Sequence, residues 1–116
     1  MGFSGERMTP FKLSEAGDRG WFIGQFDKAV YKTDQFEAGL QTFEKGFRSP
    51  KHTHKIATEI NLVVSGKVMY GNQLLSPGDG IIYYPGDVCE CYYLEDTVTM
   101  VIKTPGALND KYVIEE

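Results

Sequence analysis

Short runs of apolar and β-branched residues recur along most of this chain, and they constrain its fold more than any other feature. From Trp21 onward they follow one another about every ten residues, each bounded by glycine, proline, aspartate or asparagine. The runs are WFIGQF, AVYKT, FEAGLQTF, TEINLVVS, KVMY, GIIYY, VCECYY and TVTMVIKT. No segment between them sustains the apolar period of a helix. The sequence therefore predicts an all-β sandwich or barrel.

The length of 116 residues allows one domain with one core. Residues 1–20 combine glycine, serine, proline and charge without periodicity, so they are predicted to form an N-terminal arm before a single domain at 21–116. Turn residues at 70–72 predict a tight hairpin, and the Pro-Gly-Asp sequences that begin at Pro77 and Pro85 predict further turns.

Charge and hydrophobicity exclude several classes of partner. The net charge is −4 and no segment is rich in Lys or Arg, which argues against a nucleic-acid partner. No apolar stretch approaches the ~20 residues of a membrane span. Cys89 and Cys91 would have Cα atoms roughly 6.5–7 Å apart in a strand, so they are predicted to be free thiols. We therefore expect a cytoplasmic protein with neither a nucleic-acid nor a membrane partner.

Both histidines of the chain lie within residues 46–66, with one residue between them. Residues i and i+2 of a strand point to the same side, so His52 and His54 are predicted to project together. Glu59 follows after four residues, enough for a bend and a second strand that lays its carboxylate beside the two rings. Two imidazoles and a carboxylate suit a first-row transition metal such as Fe, Mn, Ni, Cu or Zn.

The strand that carries Glu59 also predicts an assembly. If Glu59 points inward, so does Asn61, and Ile60, Leu62 and Val64 occupy the other face. Three aliphatic side chains in a row should be covered, either by the N-terminal arm or by a second subunit. Because a symmetric pair is the commonest assembly, we expect a homodimer. In the alternative register these aliphatic residues form the core and Glu59 faces solvent.

Five residues of the histidine segment resemble the first sequence motif of the cupins. Gly46, His52, His54, Glu59 and Gly66 fill its fixed positions with gaps of permitted length. The resemblance implies a double-stranded β-helix, the jelly-roll barrel of cupins, over about residues 28–104. It also implies that the two histidines and the glutamate hold a divalent metal (Fe, Mn, Zn or Ni) that faces the barrel interior.

The second cupin motif is matched only in part. Residues 77–79, an apolar strand and Pro85 resemble it with one extra residue, most simply Gly80 in a β-bulge. Counted from Pro85, Glu90 takes the place of the motif's histidine. Glu90 is then a fourth ligand, a general base beside a three-ligand metal, or an exposed carboxylate on the rim.

A shift of one residue in this register would turn Cys89 and Cys91 into the barrel instead of Glu90. A thiolate-containing site, which favours Zn or Cu, would then be possible.

Candidate substrate-binding residues follow from the strand pattern. Tyr83 and Tyr92 are predicted to face inward, where aromatic rings suit sugars or other small polar molecules. The same parity makes Gln41 and Asn61 neutral hydrogen-bonding residues inside the barrel.

Two functions are compatible with these residues. The first is a metal-dependent enzyme that acts on a small polar molecule by isomerase-like, epimerase-like or oxygenase-like chemistry, since similar short cupins are often associated with sugar and sugar-nucleotide metabolism. The second is a non-catalytic module that binds or senses a small ligand through an anchoring or structural metal. Lys51 and Lys55 flank the histidines and could attract an acidic ligand.

Overall fold

The computed structural model describes residues 8–115, which contain twelve β-strands. These are β1 (Trp21–Gly24), β2 (Tyr31–Lys32), β3 (Glu37–Phe43), β4 (His52–His54), β5 (Thr58–Ser65), β6 (Val68–Tyr70), β7 (Gln73–Leu75), β8 (Gly80–Tyr83), β9 (Val88–Cys89), β10 (Cys91–Tyr93), β11 (Thr97–Thr104) and β12 (Lys111–Val113). The all-β prediction is confirmed, and TEINLVVS and TVTMVIKT are strands from end to end. Within the described residues there is no helix that could cross a membrane.

The strands form three sheets around one core. The largest has six strands in the order β2-β1-β3-β11-β5-β8, with β11 antiparallel to both of its neighbours. The two smaller sheets have the orders β10-β6-β7 and β12-β4-β9. Buried residues from all three sheets belong to one cluster, which includes Val63, Val68, Cys89 and Tyr93. The barrel interior is therefore bounded by the large sheet on one side and the two small sheets on the other.

Strand β5 alternates between the interior and the surface as its sequence predicts. Glu59, Asn61 and Val63 are buried. Ile60 and Leu62, in contrast, keep 38% and 44% of their surface exposed in the single chain. Residues 1–7 of the predicted arm lie outside the described residues, and the part that is described does not cover this aliphatic row.

Two turns with the same hydrogen-bonding pattern flank β8, one before it and one after it. Residues 76–79 and 84–87 each close with a backbone hydrogen bond of 2.9 Å from the aspartate at the fourth position to the carbonyl of the first. The carboxylates of Asp79 and Asp87 accept the first residue's N–H in return, at 2.9 and 2.8 Å. The third residue of each turn has a φ of +91° or +93°, which glycine adopts without strain. The predicted turn chemistry is thus present at both places.

The pairing of β8 differs from the prediction. Gly80 pairs with Leu62 in an unbroken register that ends with Tyr83 opposite Glu59, so the predicted β-bulge at Gly80 is wrong. The strand structure is interrupted instead at Glu90, which lies between the end of β9 and the start of β10. Cys89 pairs directly with His52 and shares its face of the sheet.

Candidate functional site

A cavity of about 430 Å³ opens into the barrel and contains most of the predicted site. Strands of all three sheets contribute to its walls. Its lining residues are Arg19, Trp21, Gln41, Phe43, Phe47, Ser49, Pro50, His52, His54, Glu59, Asn61, Tyr70, Cys89, Cys91, Tyr93, Val101, Lys103 and Lys111.

His52 is buried on β4 and its ring is oriented by the backbone. Its Nδ1 lies 2.8 Å from the carbonyl oxygen of Pro50. Because a carbonyl can only accept, Nδ1 carries the proton, and Nε2 keeps its lone pair in the neutral ring. This is the arrangement in which a histidine presents Nε2 to a metal ion.

His54 and Glu59 meet across the bend between β4 and β5. Nε2 of His54 lies 3.6 Å from Oε1 of Glu59, and both side chains are buried. The two imidazole rings stand nearly perpendicular, with centroids 5.4 Å apart. Burial lowers the pKa of His54 because it disfavours the imidazolium, although Glu59 opposes the shift. Burial therefore favours the neutral form of this ring.

The second oxygen of Glu59 is fixed by a neighbour on the same strand. Nδ2 of Asn61 donates to Oε2 of Glu59 at 2.8 Å, and both residues are buried. The hydrogen bond leaves Oε1 on the side of His54. Asn61 thus orients the Glu59 carboxylate. The alternation of residues along the strand predicted only that Asn61 faces inward, and it did not indicate this role.

Asp110 holds the bend between β4 and β5, and sequence reasoning missed it. Its carboxylate accepts the backbone N–H groups of Lys55, Ile56 and Ala57 at 2.8 to 3.1 Å. Burial raises the pKa of Asp110, but these backbone donors outweigh it, and the pKa is lowered overall. The Asn-Asp pair in the tail signals a turn, but no local pattern reveals a contact with residues more than fifty positions away.

The second-motif residues are not all where they were predicted. Glu90 is exposed and lines a second, separate pocket together with Tyr92, whose ring lies 4.1 Å from the guanidinium carbon of Arg48. Tyr83 is buried but lies behind the pocket wall, where its hydroxyl accepts from the Cys89 thiol at 3.1 Å. The structure thus does not bring Glu90, Tyr83 or Tyr92 to the cavity. Neighbouring residues of a strand face opposite ways, and here Cys89 and Cys91 face inward.

Gln41 and Asn61 do line the cavity, as predicted. Nε2 of Gln41 donates to the carbonyl oxygen of Arg19 at 3.1 Å, which ties β3 to the segment before β1. Its side-chain amide therefore faces the pocket with one of its donors already used.

The aromatic wall of the cavity comes from residues that the sequence did not single out. Phe43 and Tyr93 stack with ring centroids 4.2 Å apart and an interplanar angle of 13°. Phe47 stacks beside both, and Tyr70 and Trp21 also line the pocket. The alternation of inward and outward residues in VCECYY predicts an inward-facing Tyr93 only in the register that also places Cys89 and Cys91 inward.

Two free thiols lie in the same pocket wall. Sγ of Cys91 is 3.0 Å from Oγ of Ser49 and 3.5 Å from the hydroxyl of Tyr93. The neighbouring Cys89 thiol lowers the pKa of Cys91 to about 6, with help from Ser49 and Tyr93 and against the effect of burial. The proximity of Cys91, together with burial, raises the pKa of Cys89. Of the two thiols, Cys91 is therefore the one that ionises first.

The side chains that could bind a metal lie near one another, but they are not all directed at one position. Among residues 8–115, no three His, Cys, Asp or Glu side chains already converge on one metal position. His54 and Glu59 come nearest to doing so, and His52 lies on the same strand as His54 with its ring beside that of His54.

Comparisons with known proteins agree with this architecture. No protein-family profile matches the chain, and no curated protein does. Solved structures match well, including an uncharacterised conserved protein with a double-stranded β-helix domain from Klebsiella pneumoniae, with a TM-score of 0.64 and 20% identity over 92% of this chain and 97% of that one. The chain has the cupin fold.

Two further solved structures align with a smaller part of the chain. KdgF from Halomonas sp. aligns with a TM-score of 0.61 and 24% identity over 66% of this chain and 74% of that one. A sugar phosphate isomerase from a cupin superfamily of Silicibacter pomeroyi has a TM-score of 0.52 and 23% identity over 60% of this chain and 50% of that one. At these identities the likeness establishes the cupin fold alone.

Proposed function

We propose that this cupin-fold protein binds a divalent transition metal through His52, His54 and Glu59 and acts on a small polar molecule. The observation that carries the proposal is the burial of all three side chains in one cavity, with Nε2 of His54 3.6 Å from Oε1 of Glu59. A cavity of about 430 Å³ is large enough for a sugar-sized ligand.

The separation of His54 and Glu59 suits a shared ion. At 3.6 Å the nitrogen and oxygen are too far apart for a good hydrogen bond. Two ligands of one tetrahedral ion, with bonds of about 2.0–2.2 Å, lie about 3.4 Å apart. The pair therefore needs only a small adjustment to bind one ion together.

The remaining features of the donor set fit the same ion. His52 has its free lone pair on Nε2 and its other nitrogen bound to a backbone carbonyl, as a metal-binding histidine requires. Burial favours the neutral form of His54, and the Glu59 carboxylate is oriented by Asn61. Two imidazoles and one carboxylate suit Fe, Mn, Ni or Zn.

A bound ion would act as a Lewis acid and polarise a carbonyl oxygen of the substrate. The residues of the chain would do the rest. The stacked rings of Phe43 and Tyr93 offer an apolar face for a sugar-like ring and keep water from one side of it. Gln41, on the same strand as Phe43, offers a side-chain amide to the cavity.

Isomerisation or epimerisation beside a carbonyl also needs a group that accepts a proton. Glu90 was one candidate for this role in the sequence analysis, but it lies outside the cavity. Within the cavity, Cys91 has a pKa lowered to about 6 and is a thiolate at neutral pH. In this proposal Cys91 takes the proton from the carbon next to the carbonyl and returns it, and isomerase-like chemistry is favoured over oxygenase-like chemistry.

The second candidate is a binding module that does not turn its ligand over. It is favoured by the exposed position of Glu90, which leaves three of the four residues predicted as metal ligands in the pocket. In such a module the ion would anchor a small ligand. Thermal stabilisation by a sugar or a keto acid without any conversion would support this candidate.

Two proposals concern the protein's surroundings. A second copy would cover the aliphatic face of the large sheet, where Met100 and Ile102 lie beside Leu62 and Ile60 and extend the row across β11. An isologous dimer buries the same apolar patch of both subunits. The two free thiols are compatible with a reducing, cytoplasmic location.

The metal content of protein purified without chelator tests the main proposal. We expect close to one equivalent of a transition metal in the wild type and little in His52→Ala/His54→Ala. Gln41→Ala, which changes the same cavity without removing a ligand, should retain the metal. Equal metal in the wild type and the double variant would contradict the proposal.

A further inference from the structure

We infer that the ligand of this pocket carries a negatively charged group, a carboxylate or a phosphate, which Lys103 and Lys111 bind at the cavity rim. The identity of this ligand as the substrate rests on the function proposed above. The binding of an anion does not, because it depends on different residues.

The charge of the pocket is opposite to that of the chain. The whole protein has a net charge of −4. Its cavity, in contrast, is lined by three cations, Arg19, Lys103 and Lys111, and by two groups that can carry a negative charge, the Glu59 carboxylate and the Cys91 thiol. These three cations come from the segment before β1, from β11 and from β12, so the fold brings Arg19 into one cavity with two lysines near the other end of the sequence. A cleft with an excess of one charge concentrates ligands of the other.

Lys103 is the best placed of the three cations. It lies on β11 between Glu37 of β3 and Glu59 of β5. Its ammonium group nevertheless lies 5.1 Å from the ring centroid of Trp21, and no described carboxylate is within ion-pair distance of it. A metal ion bound to Glu59 would balance the negative charge of that carboxylate. The positive charge of Lys103 would then be offset less by its neighbours and would act more strongly on a ligand in the cavity.

Lys111 approaches the cavity from the other side. It pairs directly with His54 in the β12–β4 ladder, and its side chain is therefore on the same face as the imidazole. The lysines that flank the histidines in sequence do not line the cavity. Lys55 lies over the ring of Tyr112 instead, 4.2 Å from its centroid.

Arg19 contributes less than the two lysines. Its guanidinium already pairs with the Asp18 carboxylate at 3.3 Å, and both side chains are largely exposed. Its charge is thus partly balanced and screened by solvent.

The two lysines and the aromatic wall together define the shape of the ligand. An anionic group at Lys103 would lie close to Glu59, its cross-strand neighbour, and hence close to the proposed ion. The uncharged body of the ligand would extend over Tyr93 and Phe43. This arrangement fits an acidic sugar or a sugar phosphate better than a neutral sugar.

Calorimetric binding of glucose, glucuronate and glucose 6-phosphate tests the inference, since the three differ only at one carbon. We expect one or both anions to bind at least about tenfold more tightly than glucose, and the affinity to fall as salt is added. The preferred anion tells whether the group is a carboxylate or a phosphate. Lys103→Met and Lys111→Met should each weaken anion binding about tenfold or more. Lys67→Met, an exposed lysine outside the cavity, should not.

Equal binding of all three sugars, or no binding of either anion, would overturn the inference. So would equal losses in Lys67→Met and Lys103→Met. Metal content, measured on the same samples, separates this inference from the proposed function. A protein without metal that still prefers an anion contradicts the metal site alone, whereas a metal-loaded protein without that preference contradicts the anion site alone.

Discussion

The carboxylate of Asp110 lies against the backbone of Ala57 and accepts its N–H at 2.8 Å. The same carboxylate binds the N–H groups of the two preceding residues. The tail of the chain thus holds the bend that carries His54 toward Glu59. The geometry of the candidate metal site depends on a residue that is not itself in the cavity.

Asp110→Ala should destabilise the protein by about 2–4 kcal/mol, because it leaves three backbone donors without their acceptor. Urea unfolding followed by fluorescence measures the change. Asp27→Ala removes an exposed carboxylate and should change the stability by less than about 0.5 kcal/mol. If Asp110→Ala lowers the stability as little as Asp27→Ala does, the bend does not need the Asp110 carboxylate.

The stability contributed by Asp110 should depend on pH in a defined direction. Its pKa in the folded protein is lowered, so its contribution is complete above the ordinary value of about 3.9 and is lost as the pH falls through the folded-state pKa. The wild type and Asp110→Asn should therefore differ most at neutral pH and converge in acid. Unfolding curves from pH 7 to pH 2 measure this, and a difference that grows in acid would contradict the assignment.

Asn61→Leu should weaken metal binding without removing a ligand. The substitution removes the donor that fixes Oε2 of Glu59, and loss of such a supporting hydrogen bond costs about 10- to 100-fold in affinity. Competition with a fluorescent chelator measures the affinity. Glu90→Gln is the matched control, and we expect it to bind metal as the wild type does. An unchanged affinity in Asn61→Leu would mean that Glu59 is oriented by other contacts.

Cys91 should be the reactive thiol of the native protein. Its pKa is lowered to about 6, so its alkylation by iodoacetamide should rise with pH around that value and level off above it. Cys89, whose pKa is raised, should react only after unfolding. Peptide mapping by mass spectrometry assigns the label. Cys91→Ser should lose both this reaction and most of any turnover, while labelling first at Cys89 would reverse the assignment.

Leu62→Lys should produce a monomer. A charge in the middle of the aliphatic face cannot be buried against its own copy at low cost. Light scattering after size exclusion gives the mass. Lys32→Leu changes a charge on another part of the large sheet and should leave the dimer intact. A wild-type protein that is already monomeric at micromolar concentration would rule out the proposed dimer.

Much of the fold follows directly from the sequence, for local reasons. Strand β5 alternates because the period of a strand matches the alternation of polar and aliphatic residues in TEINLVVS. The turns at 76–79 and 84–87 form because proline and glycine preset their dihedral angles and aspartate binds the backbone. His52, His54 and Glu59 were predicted together because their spacing needs only two short strands and a bend.

The second half of the site could not be derived in the same way. Whether Glu90 or its two cysteine neighbours face inward depends on which residue lies opposite His52, and a shift of one position reverses the answer. The sequence contains no strong signal for that register, because VCECYY alternates without a clear apolar face.

The sequence by itself determined the all-β class, the turns and the cluster of two histidines and a glutamate, since each depends on residues that are close along the chain. The tertiary structure decided that Cys89 and Cys91 replace Glu90 in the wall, that Asp110 holds the bend, and that Lys103 and Lys111 meet at the rim. In each case the residue lies against a partner more than thirty positions away in the sequence: Cys89 against His52, Asp110 against Ala57, Lys103 against Glu59 and Lys111 against His54. These relationships are set by strand register and by the packing of the whole barrel.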